Sequence, residues 1–243
     1  MDAIQAFDID RIATGHYANI TQRDGCFYLQ QGEDTLKDQS YFLARLSQQQ
    51  LARVEFPLAK MQKNEVYKLV EKHGFSDFRG EESQDICFLG AESVGQFLKN
   101  REPESAKPGD IVNTAGEPLG RHTGINNYTI GQRKGLGISA PAPLYVIRID
   151  AQNNRIIVGA NDDLFQNTVE LKDTQWNCGK LPNKEQSYRV RIRYGHRGGE
   201  AKLTLLQDNR CHVLFSEKQR AVTPGQFAVI YDQDIILGCG EII

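Results

Sequence analysis

The stretch YRVRIRYGHR, residues 188–197, alternates basic and apolar side chains with the two-residue period of a β-strand. Arg189, Arg191 and Arg193 would lie on one face of that strand, and the apolar residues between them on the other. A row of guanidiniums fits the phosphate backbone of a nucleic acid, and it equally fits the solvated outer face of a barrel. The absence of carboxylates from the stretch favours nucleic acid, but this segment alone leaves both interpretations open.

The sequence around this stretch, from about residue 108 onward, has the pattern of an all-β structure. Short β-rich runs alternate with turn dipeptides such as Pro108-Gly109 and Pro224-Gly225. The runs cover residues 144–149, 155–158, 189–194 and 227–231. This pattern predicts one or two small barrels, with a boundary near residues 160–168.

The first 90 residues carry a different pattern, in which short strands are followed by helices. Residues 11–14 predict a strand that ends at Gly15-His16, where open α/β sheets usually present ligands. A capped helix is predicted from Ser47 through about Val54, and another before Gly74. Parallel strands need crossovers of a dozen or more residues, but only ten residues precede the first strand. We therefore expect this part to be the tail of a larger α/β domain.

The composition is that of an ordinary globular protein, with 40% hydrophobic residues and a net charge of −2. No run approaches the roughly 18 apolar residues of a membrane span. The N-terminus lacks the basic and apolar regions of a secretory signal. We therefore expect a cytoplasmic protein that does not associate with membranes.

The five cysteines are far apart, odd in number and without any C-x-x-C pair. Their positions are Cys26, Cys87, Cys178, Cys211 and Cys239. This spacing argues against a disulfide framework and a zinc site, so we expect free thiols and no bound metal. Cys87, in EESQDICFLG (81–90), is either a packing residue or a reactive thiol, but its acidic neighbours have the wrong sign to stabilise a thiolate.

Two other stretches combine polar groups with turn signals. YTIGQRKGLGI, residues 128–138, sets Arg133 and Lys134 among three glycines, which suits a phosphate contact. The residues alone favour a glycine-rich hairpin with a charged tip. In KDQS, residues 37–40, Asp38 or the serine would simply cap a helix on spacing alone.

Six motifs in this order resemble the tRNA-specific 2-thiouridylase family, and the resemblance covers residues 11–240. The motifs are IATGHYA (12–18), KDQSYFL (37–43), SQDICFLG (83–90), the spaced Gly120, His122 and Gly124, YTIGQRKGLGI (128–138) and VTPGQFAV (222–229).

The resemblance implies sulfur transfer to C2 of the wobble uridine of tRNA. Family members use ATP, with Mg²⁺ expected beside it, to adenylate the C2 oxygen, and a cysteine persulfide then supplies sulfur as AMP leaves. Cys87 matches the persulfide carrier, and Gly15 matches an ATP contact. The partners implied are tRNA with a wobble uridine and a persulfide donor protein fed by a cysteine desulfurase. The predicted tRNA contacts are His16, Lys37, Asp38, Gln39, Arg193, Tyr194 and Gln226, joined by Arg133 and Lys134 of the glycine-rich loop.

The chain departs from the family pattern in two ways. It contains no Ser-Gly-Gly-x-Asp-Ser nucleotide loop, and it has no second catalytic cysteine before ATGHY, since Cys26 lies after that motif. We therefore expect the C-terminal two-thirds of a 2-thiouridylase, inactive by itself. The alternative is a non-catalytic tRNA-binding module in which Cys87 is vestigial or structural.

The expected fold class is α/β plus all-β. Residues 1–90 would be the incomplete C-terminal part of an adenine nucleotide alpha hydrolase-like (PP-loop) ATP-binding domain. A central, mostly β domain would follow at residues 91–163. A tRNA-binding β-barrel would occupy residues 164–243.

Overall fold

The computed structural model of the chain describes residues 9–75, 94–101 and 103–243. Cys87 and the rest of the SQDICFLG motif lie outside these ranges. The α-helices within them, α1 to α3, are Gln48–Leu51, Lys63–Lys72 and Val94–Arg101. The strands within them, β1 to β14, are Ile12–Ala13, Ala18–Arg23, Cys26–Gln31, Val54–Glu55, Gly109–Val112, Pro118–His122, Tyr145–Asp150, Arg155–Gly159, Phe165–Trp176, Tyr188–Arg191, Gly199–Leu205, Cys211–Arg220, Phe227–Asp232 and Ile235–Ile242.

The described residues separate into two compact units. The first unit comprises those within Met1–Gly80, Asn167–Glu217 and Thr223–Ile243. The second unit comprises those within Glu81–Gln166 and Lys218–Val222. No helix in the described ranges is long and apolar enough to span a bilayer.

The first unit is built on a six-stranded barrel. Its strands follow the order β13-β10-β11-β12-β9-β14, and β14 pairs back to β13 to close the ring. Strand β11 shows why the sequence folds this way, because Ala201 and Leu203 are buried while Glu200, Lys202 and Thr204, which alternate with them, face solvent. The prediction of a β-barrel in the C-terminal part is confirmed.

A hairpin from the N-terminal part extends the same sheet. Strands β2 and β3 are antiparallel, from Ala18 opposite Gln31 to Arg23 opposite Cys26. The Asp24-Gly25 turn between them has positive φ at both residues, the conformation that two-residue hairpin loops favour. Strand β3 continues the sheet beside β14, in the order β14-β3-β2. The sheet thus crosses the boundaries expected near residues 90 and 164, and the three-domain division stays a prediction.

The α/β features of the first unit are short. Strands β1 and β4 pair in parallel, with Ile12 opposite Val54. The predicted helix from Ser47 is correct in its capping box but wrong in its end, because it stops at Leu51 and Val54 lies in a strand. Helix α2 ends before Gly74, whose positive φ is typical of a helix C-terminus.

The expectation that every cysteine is a free thiol is wrong for two of them. Cys26, at the start of β3, and Cys178, just after β9, form a disulfide with their Cα atoms 6.0 Å apart. The two residues are 152 positions apart, so only the sheet order brings them together. Cys211 and Cys239 are buried free thiols, and burial raises the pKa of each to about 11.

The second unit contains a four-stranded sheet in the order β6-β5-β8-β7. Strands β5 and β8 are parallel and the other neighbours are antiparallel. Side chains from β5, β7 and β8 pack with Leu136 of the glycine-rich stretch to form its core. The loop that carries Arg133 and Lys134 is therefore attached directly to a hydrophobic core.

Candidate nucleic-acid interface

The ATGHY and KDQS motifs lie side by side in the first unit. The backbone N–H of Tyr17 donates to Gln39 Oε1 (3.1 Å), and the backbone N–H of Gln39 donates to the Tyr17 carbonyl (2.8 Å). His16 is half-buried, with its Nδ1 3.0 Å from Thr14 Oγ1. These contacts place the predicted His16 and Gln39 next to each other, although 22 positions separate Tyr17 from Gln39.

Asp38 lies inside the protein and is only 3% exposed. Its Oδ1 accepts the backbone N–H groups of Gly32 (3.3 Å) and Ser40 (3.0 Å). Its Oδ2 accepts from Ser40 Oγ (3.0 Å), Gln31 Nε2 (2.9 Å) and Arg191 Nη1 (3.0 Å). A carboxylate that accepts this many hydrogen bonds is fully satisfied within the protein. Asp38 therefore fixes the position of the KDQS segment. The predicted tRNA contact at Asp38 stays a prediction.

Arg191 connects this anchor to the RYGH turn. Its side chain, 10% exposed, forms a buried ion pair with Asp38. Its Nη2 donates to the carbonyl of Tyr194. Three tyrosine rings surround the guanidinium, with centroids 5.6 Å (Tyr41), 5.9 Å (Tyr194) and 5.9 Å (Tyr231) from Cζ. Removing either charge would leave the other buried without its partner, which makes the link between the two segments obligatory.

The expected face of three exposed guanidiniums is therefore wrong. Arg191 is buried, and Arg189 packs its guanidinium 5.0 Å from the Tyr231 ring and donates to the Gln233 carbonyl (2.8 Å). Gln31 and Asp38 of the N-terminal part contact these two arginines, so this side of β10 is partly covered rather than a solvated barrel surface. Arg193, half-buried at the end of the row, and the exposed Arg197 carry the remaining charge toward solvent.

Aromatic side chains of KDQSYFL and of the RYGH turn stack beside Arg191. Phe42 of KDQSYFL stacks on Tyr194, with ring centroids 4.4 Å apart and an interplanar angle of 27°. Tyr41 meets the edge of Phe42 (5.7 Å, 82°) and donates its hydroxyl to the Phe227 carbonyl (2.8 Å). Burial raises the pKa of Tyr41 to about 12, although Arg191 acts in the opposite direction. The Tyr41 hydroxyl therefore stays protonated and holds its hydrogen bond.

The TPGQ turn reaches the same cluster through Phe227. Gln226 is exposed, and the residue after it accepts the Tyr41 hydrogen bond. The guanidinium of Arg45 lies 5.2 Å from the centre of the Phe227 ring. Four of the predicted segments, at residues 16, 37–39, 193–194 and 226, are thus joined by a continuous set of contacts in the first unit.

A pocket of about 360 Å³ lies beside the buried ion pair. Its charged side chains are mainly basic, and Asp38, already paired with Arg191, is the carboxylate in its lining. The basic side chains of the lining are Arg189, Arg191, His196 and Arg197. The charge balance of this pocket suits an anionic ligand such as a phosphate group.

Arg133 and Lys134 lie in the second unit, where they are exposed at the tip of a tight turn. Gln132 fixes the turn, because its side chain accepts the Thr129 N–H (3.0 Å) and donates to the Lys134 carbonyl (2.9 Å). Gly131 has a φ of +87°, which a residue with a side chain rarely adopts. The hairpin interpretation of this loop is wrong, because residues 128–138 form turns without strands and the flanking strands β6 and β7 are opposite edges of the sheet. The charged tip is correct, and the exposure of both cations leaves a phosphate contact open to them.

The histidine of the Gly120-His122-Gly124 motif has a structural role in the second unit. His122 is 1% exposed, with Nε2 3.0 Å from the Asn154 carbonyl. Its Nδ1 accepts the Gly124 N–H (3.1 Å), which leaves Nε2 to donate to the Asn154 carbonyl. This side chain fastens β6 to the turn before β8.

The described residues do not form an ATP site by themselves. Gly15, the predicted contact, is exposed, and a Cβ added there would meet only Leu58, at 3.9 Å. A nucleotide phosphate needs converging N–H groups or cations, and no glycine-serine loop occurs in the 243 residues. The described side chains also bring no three His, Cys, Asp or Glu together as metal ligands.

Profiles of three adjacent domains match the chain in order. They are described as the tRNA methyl transferase HUP domain (residues 1–91), the tRNA methyl transferase PRC-barrel domain (95–160) and the aminomethyltransferase beta-barrel domain (166–242). The tRNA-specific 2-thiouridylase MnmA of Desulfotalea psychrophila is 50% identical over 99% of the chain and 70% of its own length. The chain belongs to the tRNA-specific 2-thiouridylase family.

Further relatives carry the same name. The 2-thiouridylase of Syntrophotalea carbinolica is 43% identical over 96% of the chain, and that of Symbiobacterium thermophilum is 40% identical over all of it. The chain spans 66% and 63% of these two relatives, respectively. The resemblance read from six motifs is confirmed, and so is the fold class of an α/β HUP part followed by β-rich domains.

Several residues of the cluster were not singled out from the sequence. The sequence pattern sets Arg191 on the same strand face as Arg189 and Arg193, and it assigns no role to Tyr41, Phe42 or Phe227. Their signal was present in the sequence, because aromatic residues directly follow the polar KDQS and TPGQ segments. Only the sheet order, which sets β10 beside β13 and β2–β3 beside β14, shows that these aromatics meet.

Proposed function

We propose that this chain is the part of a cytoplasmic tRNA 2-thiouridylase that grips tRNA and carries the sulfur. The complete reaction is the ATP-dependent transfer of a persulfide sulfur to C2 of the wobble uridine. Cys87 carries that sulfur after loading by a persulfide donor protein fed by a cysteine desulfurase. The terminal sulfur of a persulfide is more acidic than a thiol, so a persulfide on Cys87 ionises more readily than a thiol would beside the same acids.

One observation supports the tRNA-binding part of this proposal above the others. Predicted contacts from four segments, spread from His16 to Gln226, are connected through one buried core of Asp38, Arg191 and Tyr41. A surface assembled from distant segments and rich in arginine and aromatic side chains suits RNA, which is bound through phosphate contacts and stacked bases. The exposed Arg133 and Lys134 would add phosphate contacts from the glycine-rich loop.

We expect the complete reaction to need chemical groups that these 243 residues do not supply. ATP supplies the activation of the uridine C2 oxygen, and Mg²⁺ accompanies it. The 243 residues lack the nucleotide loop, so we expect them to form no 2-thiouridine by themselves even when ATP and a sulfur donor are present. Their own contribution is to bind tRNA and to hold the sulfur on Cys87.

Salt-dependent binding of unmodified tRNA tests the binding role. We expect affinity to fall steeply with salt, and Arg193→Ala to reduce the slope of log K against log salt by about 1, as expected for one lost phosphate contact. Lys202→Met, which removes one exposed charge from strand β11 of the same sheet, is the matched control. Equal slopes for Arg193→Ala and wild type would contradict a phosphate contact at Arg193, and absence of tRNA binding would overturn the proposed function.

Sulfur loading tests the second role separately. After incubation with a cysteine desulfurase and its relay proteins, mass spectrometry should find Cys87 with one additional sulfur atom. The Cys87→Ser variant should carry none at that position. An unmodified Cys87, under conditions that load a full-length relative, would instead favour the non-catalytic tRNA-binding module.

A further inference from the structure

Phe42 is exposed in a way that packing of the protein does not explain. Its side chain is 61% exposed, although the residues on either side of it, Tyr41 and Leu43, are buried and half-buried. A large aromatic ring left in water loses the free energy that its burial would provide. An exposed ring that is nevertheless fixed in place is typical of a contact surface.

Contacts within the first unit fix the orientation of the Phe42 ring. Tyr194 covers one face of it at 4.4 Å, and Tyr41 meets its edge at 5.7 Å. Tyr194 is held in turn by the hydrogen bond from Arg191 to its carbonyl, and Arg191 by its ion pair with Asp38. The exposed part of the Phe42 ring is therefore held in a fixed orientation before binding, so less conformational entropy is lost when a ligand binds.

The charges around Phe42 indicate the chemistry of what it contacts. Tyr194, which stacks on Phe42, lines a pocket together with Arg189, Arg191 and Arg197. Asp38, the carboxylate in the lining of that pocket, is buried and paired with Arg191, so it does not oppose an anion. An apolar ring flanked by cations suits a single-stranded nucleic acid, whose bases stack on aromatics while its phosphates meet arginines.

We propose that Phe42 is a stacking platform for one unpaired base of the bound tRNA, with Tyr194 as its support. The proposal rests on the proposed tRNA-binding function and assigns to it a contact that the motif resemblance does not supply. Phenylalanine has no hydrogen-bonding group, so the platform accepts any base and contributes affinity rather than sequence preference.

Four substitutions separate stacking from simple apolar contact. With an unmodified tRNA transcript at fixed salt, we expect Phe42→Ala to raise the dissociation constant about tenfold. Phe42→Leu, which keeps bulk without a π-face, should recover little of this loss, and Phe42→Trp should restore binding to within about threefold of wild type. Leu214→Ala, at an exposed apolar site on β12, is the control and should change nothing.

The salt dependence of tRNA binding distinguishes the loss of a stacked base from a disturbed fold. Loss of a stacked base removes no phosphate contact, so the slope of log K against log salt should be the same for Phe42→Ala as for wild type. Wild-type affinity in Phe42→Ala, or full rescue by Phe42→Leu, would overturn the stacking platform while leaving the tRNA-binding function intact. Failure of wild type to bind tRNA would overturn both.

Discussion

The two units hold their predicted RNA-binding residues in opposite ways. In the first unit, residues 16–42, 191–194 and 226–227 are joined by a buried ion pair, a tyrosine hydroxyl and stacked rings. In the second unit, the GQRKG loop is fixed by the Gln132 side chain, by backbone hydrogen bonds to Val146 and by Leu136 in the core, while Arg133 and Lys134 are exposed. A substitution among the buried contacts of the first unit should therefore disturb stability and binding together, whereas a charge on the loop can be removed with an effect on binding alone.

The largest effect should come from Arg191→Met. The substitution leaves the Asp38 carboxylate buried without its cation, so we expect the free energy of unfolding of the first unit to fall by about 3–5 kcal/mol. Denaturant unfolding followed by the fluorescence of Trp176, the single tryptophan of the chain, measures this. The exposed Lys202→Met variant should stay within about 0.5 kcal/mol of wild type. Equal unfolding curves for the two variants would show that Arg191 is not a structural link.

Loss of the disulfide should have the next largest effect. Cys26→Ser removes a cross-link between residues 152 positions apart, so we expect the free energy of unfolding to fall by about 2–4 kcal/mol under oxidising conditions. The same unfolding experiment, with and without reductant, measures it. Reductant should lower the stability of wild type to that of Cys26→Ser and leave the variant unchanged. If reductant left wild type as stable as before, no cross-link would contribute.

A smaller loss should follow from Gly109→Ala in the second unit. A Cβ at this position would lie 2.1 Å from the Asn154 carbonyl oxygen and 2.6 Å from His122 Nε2, so the strand must shift. We expect a destabilisation of about 1–3 kcal/mol, comparable to overpacking of a core. Circular dichroism melting should detect it, with the exposed Ser139→Ala as control. A melting temperature equal to that of the control would mean that the second unit tolerates the added methyl group.

The smallest effect on stability should come from the loop cations. Arg133→Met and Lys134→Met should each change the free energy of unfolding by less than about 0.5 kcal/mol, because both side chains are exposed. Each should nevertheless reduce the salt slope of tRNA binding by up to about 1. Binding titrations at several salt concentrations measure this. Unchanged slopes in both variants would restrict the RNA surface to the first unit.

The sequence was sufficient for the strands and for the family, but not for the contacts between distant segments. The alternation in YRVRIRY correctly predicts a strand as far as Arg191, because periodicity reports local geometry. The expected continuation to residue 194 is wrong, because the chain bends and turns after Arg191. The alternation does not reveal that Asp38, 153 positions away from Arg191, neutralises the middle guanidinium. An apparent basic stripe was in this case a structural core, since a one-dimensional pattern shows which residues share a face but not what covers that face.

The cysteines also show that the sequence does not reveal contacts between distant segments. The rule that widely spaced, unpaired cysteines are free holds for Cys211 and Cys239, whose positions are set by burial in the barrel. It fails for Cys26 and Cys178, which meet because β3 follows β14 in the sheet and the end of β9 lies beside it. His122 was predicted only as part of a motif, and its tautomer and partners became visible only with the position of Asn154.

The β2–β3 hairpin has a practical consequence for anyone who isolates the C-terminal barrel. Strand β3 covers β14 near Ile235, beyond the part of β14 that pairs with β9. A fragment that begins at residue 164 would expose those backbone N–H and C=O groups as an open edge, a ready template for intermolecular strand pairing and aggregation. The hairpin is thus a protective cover for the barrel, and a soluble fragment should retain residues 18–31.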